Sequence, residues 1–120
     1  MQDLATTESA AKRFFERVRA SGEVWGLRDE NGGWAQSPSH DPEGASVILF
    51  WSDRAYAARC ATAEWTQYVP AVIALREFAD VWLPGMARDG VLVGPNWDAQ
   101  LHGLELPAPI ATSRLCQNDA

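Results

Sequence analysis

Cysteine and histidine are scarce in this 120-residue chain, which holds two of each. Cys60 falls within a predicted helix and Cys116 lies near the chain end, so the pair does not form a disulfide framework. His40 and His102 are far apart, and neither has neighbours at metal-ligand spacing. The sequence therefore predicts no metal site.

Runs of basic residues and long apolar runs are also absent. Ten basic and sixteen acidic residues give a net charge of −6, whereas binding to nucleic-acid phosphates favours a positive surface. No apolar run approaches the roughly 20 residues that cross a membrane, and the N-terminus lacks the basic and apolar regions of a signal peptide. These absences predict a cytoplasmic protein that binds neither nucleic acid nor membranes. The acidic balance suits solubility or a basic partner.

The short motifs of phosphate-binding and nucleophile sites are missing too. The patterns G-x-x-x-x-G-K-[ST], G-x-G-x-x-G and G-x-S-x-G do not occur. Cys60 lies on an apolar helical stripe, which indicates a small core residue rather than a reactive thiol. Glu64 is the one carboxylate on such a stripe, and we expect it to be buried, either paired structurally or as an acid or base with a raised pKa. We predict no catalytic residue and no cofactor, and the sequence favours a protein without enzymatic activity.

The length and composition are those of one ordinary domain. A chain of 120 residues with 47% hydrophobic residues buries a core without metal or disulfide support. Pro107 and Pro109 discourage further sheet pairing near the C-terminus. We therefore predict a single globular domain over residues 1–110 and a frayed tail over residues 111–120.

The first third of the chain predicts a helix followed by a hairpin. Residues 7–21 show apolar side chains at helical spacing. Residues 23–30 and 33–37 are typical of two strands, and the Asn31-Gly32 pair between them favours a two-residue type I′ turn with positive φ at both positions. This register places Asp29 opposite Trp34. It also places three apolar side chains on one inner face, those of Trp25, Leu27 and Trp34.

The middle of the chain predicts a βαβαβ core. Five consecutive apolar residues, 47–51, indicate a strand buried on both faces, and Ser52 and Asp53 indicate a helix start with Asp53 as its N-cap. The fold class is therefore α+β: a mixed sheet in which an N-terminal helix and a β-hairpin precede the βαβαβ core and a final antiparallel strand. After the first strand, the predicted elements are helices at 53–68 and 75–83, with a break at Pro84-Gly85, and strands at 71–74, 91–94 and 103–106.

Several motifs in this order resemble one protein family. They are Gly22-Glu23-Val24-Trp25-Gly26-Leu27, Phe50-Trp51-Ser52-Asp53, Trp82-Leu83-Pro84-Gly85 and Asp89-Gly90-Val91-Leu92-Val93-Gly94-Pro95-Asn96-Trp97. Over about residues 10–106 the chain resembles the bacterial proteins catalogued as domain of unknown function 2750. The resemblance implies a small, single-domain, cytoplasmic bacterial protein and implies no activity, ligand or catalytic residue.

A candidate recognition site follows from the two central strands. If they run parallel, their carboxyl ends meet at one sheet edge, where ligands of open α/β sheets bind. We hypothesise that this rim binds a ligand or partner, with Trp97 as an exposed anchor and Arg54 and Asn96 as polar contacts. In the structural alternative, Ser52 or Asp53 caps a helix, Asn96 holds a turn and Trp97 fills the core. The candidate residues are Trp51, Ser52, Asp53, Arg54, Asn96, Trp97 and Asp98.

Three functions remain open at this point. The first is a non-catalytic binding or adaptor module, with a protein partner of undetermined identity and an undetermined oligomeric state. The second is an immunity protein that neutralises a basic toxin, which the acidic composition suits. The third is a small acid–base enzyme that uses Glu64, Asp53 or Asp98.

Overall fold

Helices and strands alternate along the chain in a computed structural model that describes residues 4–39 and 45–116, apart from the side chains of Leu4, Ala5 and Glu64. The α+β class is confirmed. A 3₁₀ turn covers Ala63–Trp65, and a π-helical turn covers Phe78–Trp82. The helices are α1 (Leu4–Ser21), α2 (Arg54–Arg59), α3 (Leu75–Glu77), α4 (Leu83–Asp89) and α5 (Ala108–Leu115); the strands are β1 (Glu23–Arg28), β2 (Gln36–Pro38), β3 (Ser46–Phe50), β4 (Val69–Ala74), β5 (Leu92–Pro95) and β6 (Leu106–Pro107).

The strands of the described residues form two sheets. Four of them lie in the order β2-β3-β5-β6, and the central pair, β3 and β5, is parallel, with Val47 beside Leu92 and Phe50 beside Pro95. A final antiparallel strand is present and pairs with β5, but β6 begins at Leu106, three residues later than the start of the predicted span 103–106, and includes Pro107 beside Leu92. β3 contributes Leu49 to one face of the sheet and Phe50 to the other, and both are buried, which confirms the prediction of a strand covered on both faces.

The middle strand of the predicted βαβαβ core has a different partner. β4 leaves the β3–β5 sheet and pairs antiparallel with β1. The two sheets meet at Trp25 and Trp51, whose backbones exchange hydrogen bonds at 2.8 and 2.7 Å. The long segment between β3 and β5 therefore supplies a strand to the second sheet, which periodicity in the sequence does not specify.

The turn after β1 is wider than predicted. Gly32 has φ +85°, but Asn31 does not have positive φ, so the two-residue type I′ turn is wrong. The carboxylate of Asp29 accepts the backbone N–H groups of Asn31 at 3.0 Å and Gly33 at 2.7 Å. An Asp side chain that bonds its own downstream backbone favours this broader turn over the tight one.

The wider turn also shifts the register by one residue. Trp34 lies opposite Arg28 instead of Asp29, and the Arg28 guanidinium lies 5.6 Å from the Trp34 ring centre. A shift of one residue moves a side chain to the other face. Leu27 and Trp34 consequently belong to different core clusters, which corrects the shared inner face, and Trp34 packs edge-on against Trp82 with ring centres 4.9 Å apart.

Three predicted helical boundaries are corrected. The helix expected over 53–68 ends at Arg59, and Ala63, with φ +52°, redirects the chain so that Trp65 packs into the core. The break expected at Pro84-Gly85 is absent, and residues 75–89 stay helical. The π-helical turn just before the proline accommodates its missing N–H group. The tail expected from residue 111 is the body of α5, in which Ala111 is fully buried; residues 117–120 lie outside the described residues.

The core consists of two clusters on the two faces of the sheet. The first packs α1, the π turn and α5 against Phe50, whose ring meets that of Phe78 edge-on at 4.8 Å. The second packs α2 and the loop after β5 against Leu49 and Trp51. No helix within the described residues is long and apolar enough to span a membrane.

Candidate functional site

The carboxyl ends of β3 and β5 lie side by side, as the parallel pairing requires. The backbone N–H of Asn96 donates to the carbonyl oxygen of Phe50 at 2.9 Å, which extends the pairing by one residue beyond the strands. Six of the seven candidate residues therefore surround one edge of the sheet in close contact with one another. The seventh, Arg54, is exposed on the first turn of α2.

Asn96 connects three segments at this edge. It has φ +50°, a left-handed conformation that Asn tolerates better than most residues. Its side-chain oxygen accepts the backbone N–H of Ser52 at 2.9 Å, and its side-chain nitrogen donates to the Ser52 hydroxyl at 3.1 Å and to the carbonyl of Ala10 at 3.3 Å. The amide thus fixes the end of β3, the turn after β5 and helix α1, which is the turn-holding role of the structural alternative.

Asp53 occupies the N-cap position of α2, but its side chain does not cap the helix. The carboxylate instead accepts two hydrogen bonds from the guanidinium of Arg17, at 2.7 and 2.8 Å, and one from the Ser52 hydroxyl at 2.8 Å. The hydrogen bonds from Arg17 hold the pKa of Asp53 below its ordinary value. The predicted capping role is therefore wrong. A carboxylate held ionised in this way is a weak proton acceptor, which disfavours a general-base role.

Trp97 is not an exposed anchor, because its side chain is only 2% exposed. Its indole N–H donates to the carbonyl of Leu104 at 2.8 Å. Its own backbone carbonyl accepts the indole N–H of Trp51 at 3.0 Å and the thiol of Cys60 at 3.6 Å. The exposed-anchor interpretation is therefore corrected in favour of the structural alternative, and the indole closes the core at the rim.

Two glycines that sequence patterns mark only as turn residues make room for this indole. A Cβ on Gly94 would lie 2.8 Å from the Trp97 ring nitrogen, and a Cβ on Gly103 would overlap the same ring. These two residues make room for the Trp97 ring, a role that the spacing of Gly does not predict. Only the folded chain brings them to the same indole.

Asp98 is used by the backbone of its own loop. One carboxylate oxygen accepts the backbone N–H groups of Gln100 and His102, both at 3.0 Å. The second oxygen lies 3.6 Å from Nδ1 of His102. Because these two N–H donors hold the carboxylate against its own backbone, Asp98 orders the loop at the rim.

A cavity of about 450 Å³ opens beside these residues. The cavity is open to the surface, where three of its lining residues are exposed: Arg59, Ala99 and Gln100. Cys60 lies at its wall, and burial raises the pKa of the thiol, which therefore stays protonated near neutral pH. The walls come from α1 (Arg13), the end of β3 (Trp51), α2 and the turn after it (Tyr56, Arg59, Cys60) and the loop at 96–100.

A family model described as a protein of unknown function, DUF2750, matches residues 11–111. The chain belongs to the DUF2750 family. The matched region contains every residue that lines the cavity, so the cavity lies within the DUF2750 domain. The match also extends past residue 106, where the resemblance in the sequence ended, into α5. No curated protein and no solved structure shows significant similarity to the chain.

Two further expectations concern other parts of this DUF2750 domain. The backbone of Glu64 lies in the 3₁₀ turn, but its side chain lies outside the described residues, so the buried carboxylate stays a prediction. His40 also falls outside them. Within residues 4–39 and 45–116, no group of three or more His, Cys, Asp or Glu side chains is placed to hold a metal ion.

Proposed function

We propose that this DUF2750 domain is a non-catalytic binding module that holds a small molecule in the rim cavity. The observation that supports the proposal is the cavity itself, whose volume of about 450 Å³ falls in the range of ligand pockets. Its position at the carboxyl edge of a parallel strand pair is where open α/β sheets bind ligands. Its walls combine indole and phenol rings with a few polar groups, which is the usual composition of such sites.

The burial of the aromatic residues at the rim favours a small-molecule ligand over a protein partner. A protein-binding rim would present an exposed anchor such as Trp97, and aromatic anchors dominate the energetics of protein interfaces. Here Trp51 and Trp97 are both buried and form the inner wall of the cavity. A recessed cavity of this size admits a small molecule, whereas a flat protein surface does not enter it.

Binding without catalysis is favoured by the state of the candidate chemical groups. Asp53 is paired with Arg17, Asp98 accepts two backbone N–H groups, and the Cys60 thiol is protonated. Both carboxylates are held by structural hydrogen bonds, and a protonated thiol is a poor nucleophile, so these groups support binding better than catalysis. The toxin-neutralising alternative depends on net charge alone, and the cavity gives it no support.

The proposal is tested by filling the cavity without touching the core. Ala99 is exposed and lines the cavity, so Ala99→Trp should occupy it, whereas Ala58→Trp adds the same ring at an exposed α2 position outside it. A fragment library screened by saturation-transfer NMR should give ligands that bind the wild type and Ala58→Trp but not Ala99→Trp. A library without a single ligand sensitive to Ala99→Trp would contradict the proposed function.

A further inference from the structure

The cavity carries a charge opposite to that of the whole chain. The chain has a net charge of −6, but the charged residues that line the cavity are two arginines, Arg13 and Arg59, and one carboxylate, Asp98. Asp98 already accepts two backbone N–H groups of its own loop. The charged side chains that line the cavity therefore carry a net positive charge, and a concave site focuses the field of such groups on a ligand.

Both guanidinium groups are available to a ligand. Within the described residues, neither Arg13 nor Arg59 lies within 4.0 Å of a carboxylate oxygen. The nearby carboxylate of Asp53 is occupied by Arg17, and Arg13 contributes only the smallest of the effects that lower its pKa. Two arginines at one cavity without carboxylate partners are an arrangement that binds oxyanions.

The orientation of Arg59 is set in advance. Its guanidinium carbon lies 4.9 Å from the ring centre of Tyr56, which also lines the cavity. A guanidinium over an aromatic face is held by cation–π attraction while its N–H donors stay free at the edges. A preset donor group loses less conformational entropy when a ligand binds.

We infer that the ligand of the rim cavity is an anionic small molecule whose carboxylate or phosphate group lies between Arg13 and Arg59 and whose body fills the cavity beside Tyr56. The inference rests on the proposed function and names its ligand class. Carboxylates and phosphates both match the donor geometry of arginine, whereas a cationic ligand would meet two arginines and a single carboxylate, Asp98, among the lining residues.

Four matched probes test the charge and distinguish its two sources. Phenyl phosphate and benzoate carry the two oxyanions on the same ring, and phenol and benzamide are neutral counterparts. Titrations follow the indole N–H signals of Trp51 and Trp97, because both N–H groups are hydrogen-bonded at the cavity wall. At least one anionic probe should bind about tenfold or more tightly than its neutral counterpart. The tighter of the two anions identifies the ligand as a phosphate ester or a carboxylate.

Charge-removing variants locate the effect. Arg13→Gln and Arg59→Gln should each weaken binding of the preferred anion by about tenfold. Arg76→Gln makes the same change at a side chain that is 93% exposed, on α3 and away from the cavity, and should leave binding unaltered. The arginines at the cavity are exposed, so their replacement should not unfold the chain. Arg59→Lys adds a variant that keeps the charge but loses the planar donor group.

The outcomes separate this inference from the proposed function. Neutral probes that bind as tightly as the anions, with binding lost in Ala99→Trp, would overturn the anionic ligand and leave the binding module standing. An equal loss of binding in Arg76→Gln and Arg59→Gln would also overturn it, because the effect would then follow net charge rather than the site. Four probes without a response sensitive to Ala99→Trp would overturn the anionic ligand, and a fragment library that also gives none would overturn the proposed function.

Discussion

The side-chain oxygen of Asn96 accepts the backbone N–H of Ser52 at 2.9 Å, and its side-chain nitrogen donates to the Ser52 hydroxyl at 3.1 Å. This two-way contact joins the residues that follow the two parallel strands. Asn96 also lines the cavity. The same side-chain amide therefore connects the ends of the two parallel strands and lies at the wall of the cavity proposed to bind the ligand.

Asn96→Ala should destabilise the domain by about 2–4 kcal/mol. The change leaves the buried N–H of Ser52 without its acceptor, and it places Ala in the left-handed conformation at φ +50°. Asn96→Gly separates the two effects, because Gly adopts positive φ freely and should lose only about 1–3 kcal/mol. Urea denaturation measures both, and two variants as stable as the wild type would show that the amide contributes nothing.

Gly103→Ala should destabilise the domain by about 1–3 kcal/mol, because the added Cβ overlaps the buried ring of Trp97. Gly85→Ala is the matched control. The nearest atom to its added Cβ is a guanidinium nitrogen of Arg88 at 3.6 Å, and the position is helical, so stability should be unaltered or rise by about 0.5–1 kcal/mol. Thermal melts of the two variants compare them directly, and equal melting temperatures would contradict the packing of the Trp97 ring.

Ala111→Glu tests whether α5 belongs to the domain. Ala111 is fully buried in the first core cluster, so a carboxylate there should destabilise the domain by about 3 kcal/mol or more. The adjacent Ile110 is 48% exposed, and Ile110→Glu should alter stability by no more than about 0.5 kcal/mol. Chemical denaturation measures the free energy of unfolding of both variants. If both substitutions changed it by similarly small amounts, residues 111–115 would belong to the frayed tail that the sequence predicts.

The pairing of Asp53 with Arg17 should make stability depend on pH in acid. The hydrogen bonds from Arg17 lower the pKa of Asp53 from its ordinary value of 3.8, so the folded state favours the ionised carboxylate. The stability that this adds is fully present above about pH 4 and is lost as the pH falls through the folded pKa. Asp53→Asn should therefore be less stable than the wild type at neutral pH, by a small amount because the pair is partly exposed, and the difference should shrink in acid.

A double-mutant cycle provides the control for this pH dependence. In an Arg17→Gln background the carboxylate of Asp53 loses its guanidinium partner, so Asp53→Asn should have a smaller effect at neutral pH than it has in the wild type. Free energies of unfolding at pH 7 and pH 3 complete the comparison. A difference that stays constant with pH in both backgrounds would show that the pair does not shift the pKa.

The sequence predicts the sheet edge because two short apolar runs specify it. Residues 47–51 and 91–94 are too apolar to face water, so they became the central strands, and parallel pairing then placed Ser52 and Asn96 together. Local patterns carry this information because burial of both faces leaves few alternatives. The α+β class and α1 follow from the same kind of local signal.

Other features depend on contacts that no local pattern contains. The pairing of β4 with β1 is a choice between distant segments, and the burial of Trp97 depends on space provided by Gly94 and Gly103. The turn that follows the early end of α2 includes Ala63, which adopts positive φ although its residue type does not favour it. The carboxylate of Asp53 had a local capping role available and instead binds Arg17, 36 positions earlier in the chain.

A crystal structure of the wild type soaked with phenyl phosphate shows whether the rim cavity binds an anion. The probe should occupy the cavity, with phosphate oxygens within hydrogen-bond distance of the guanidinium groups of Arg13 and Arg59 and the phenyl ring beside Tyr56. A probe bound elsewhere on the surface, beside a cavity that holds only water, would contradict this prediction.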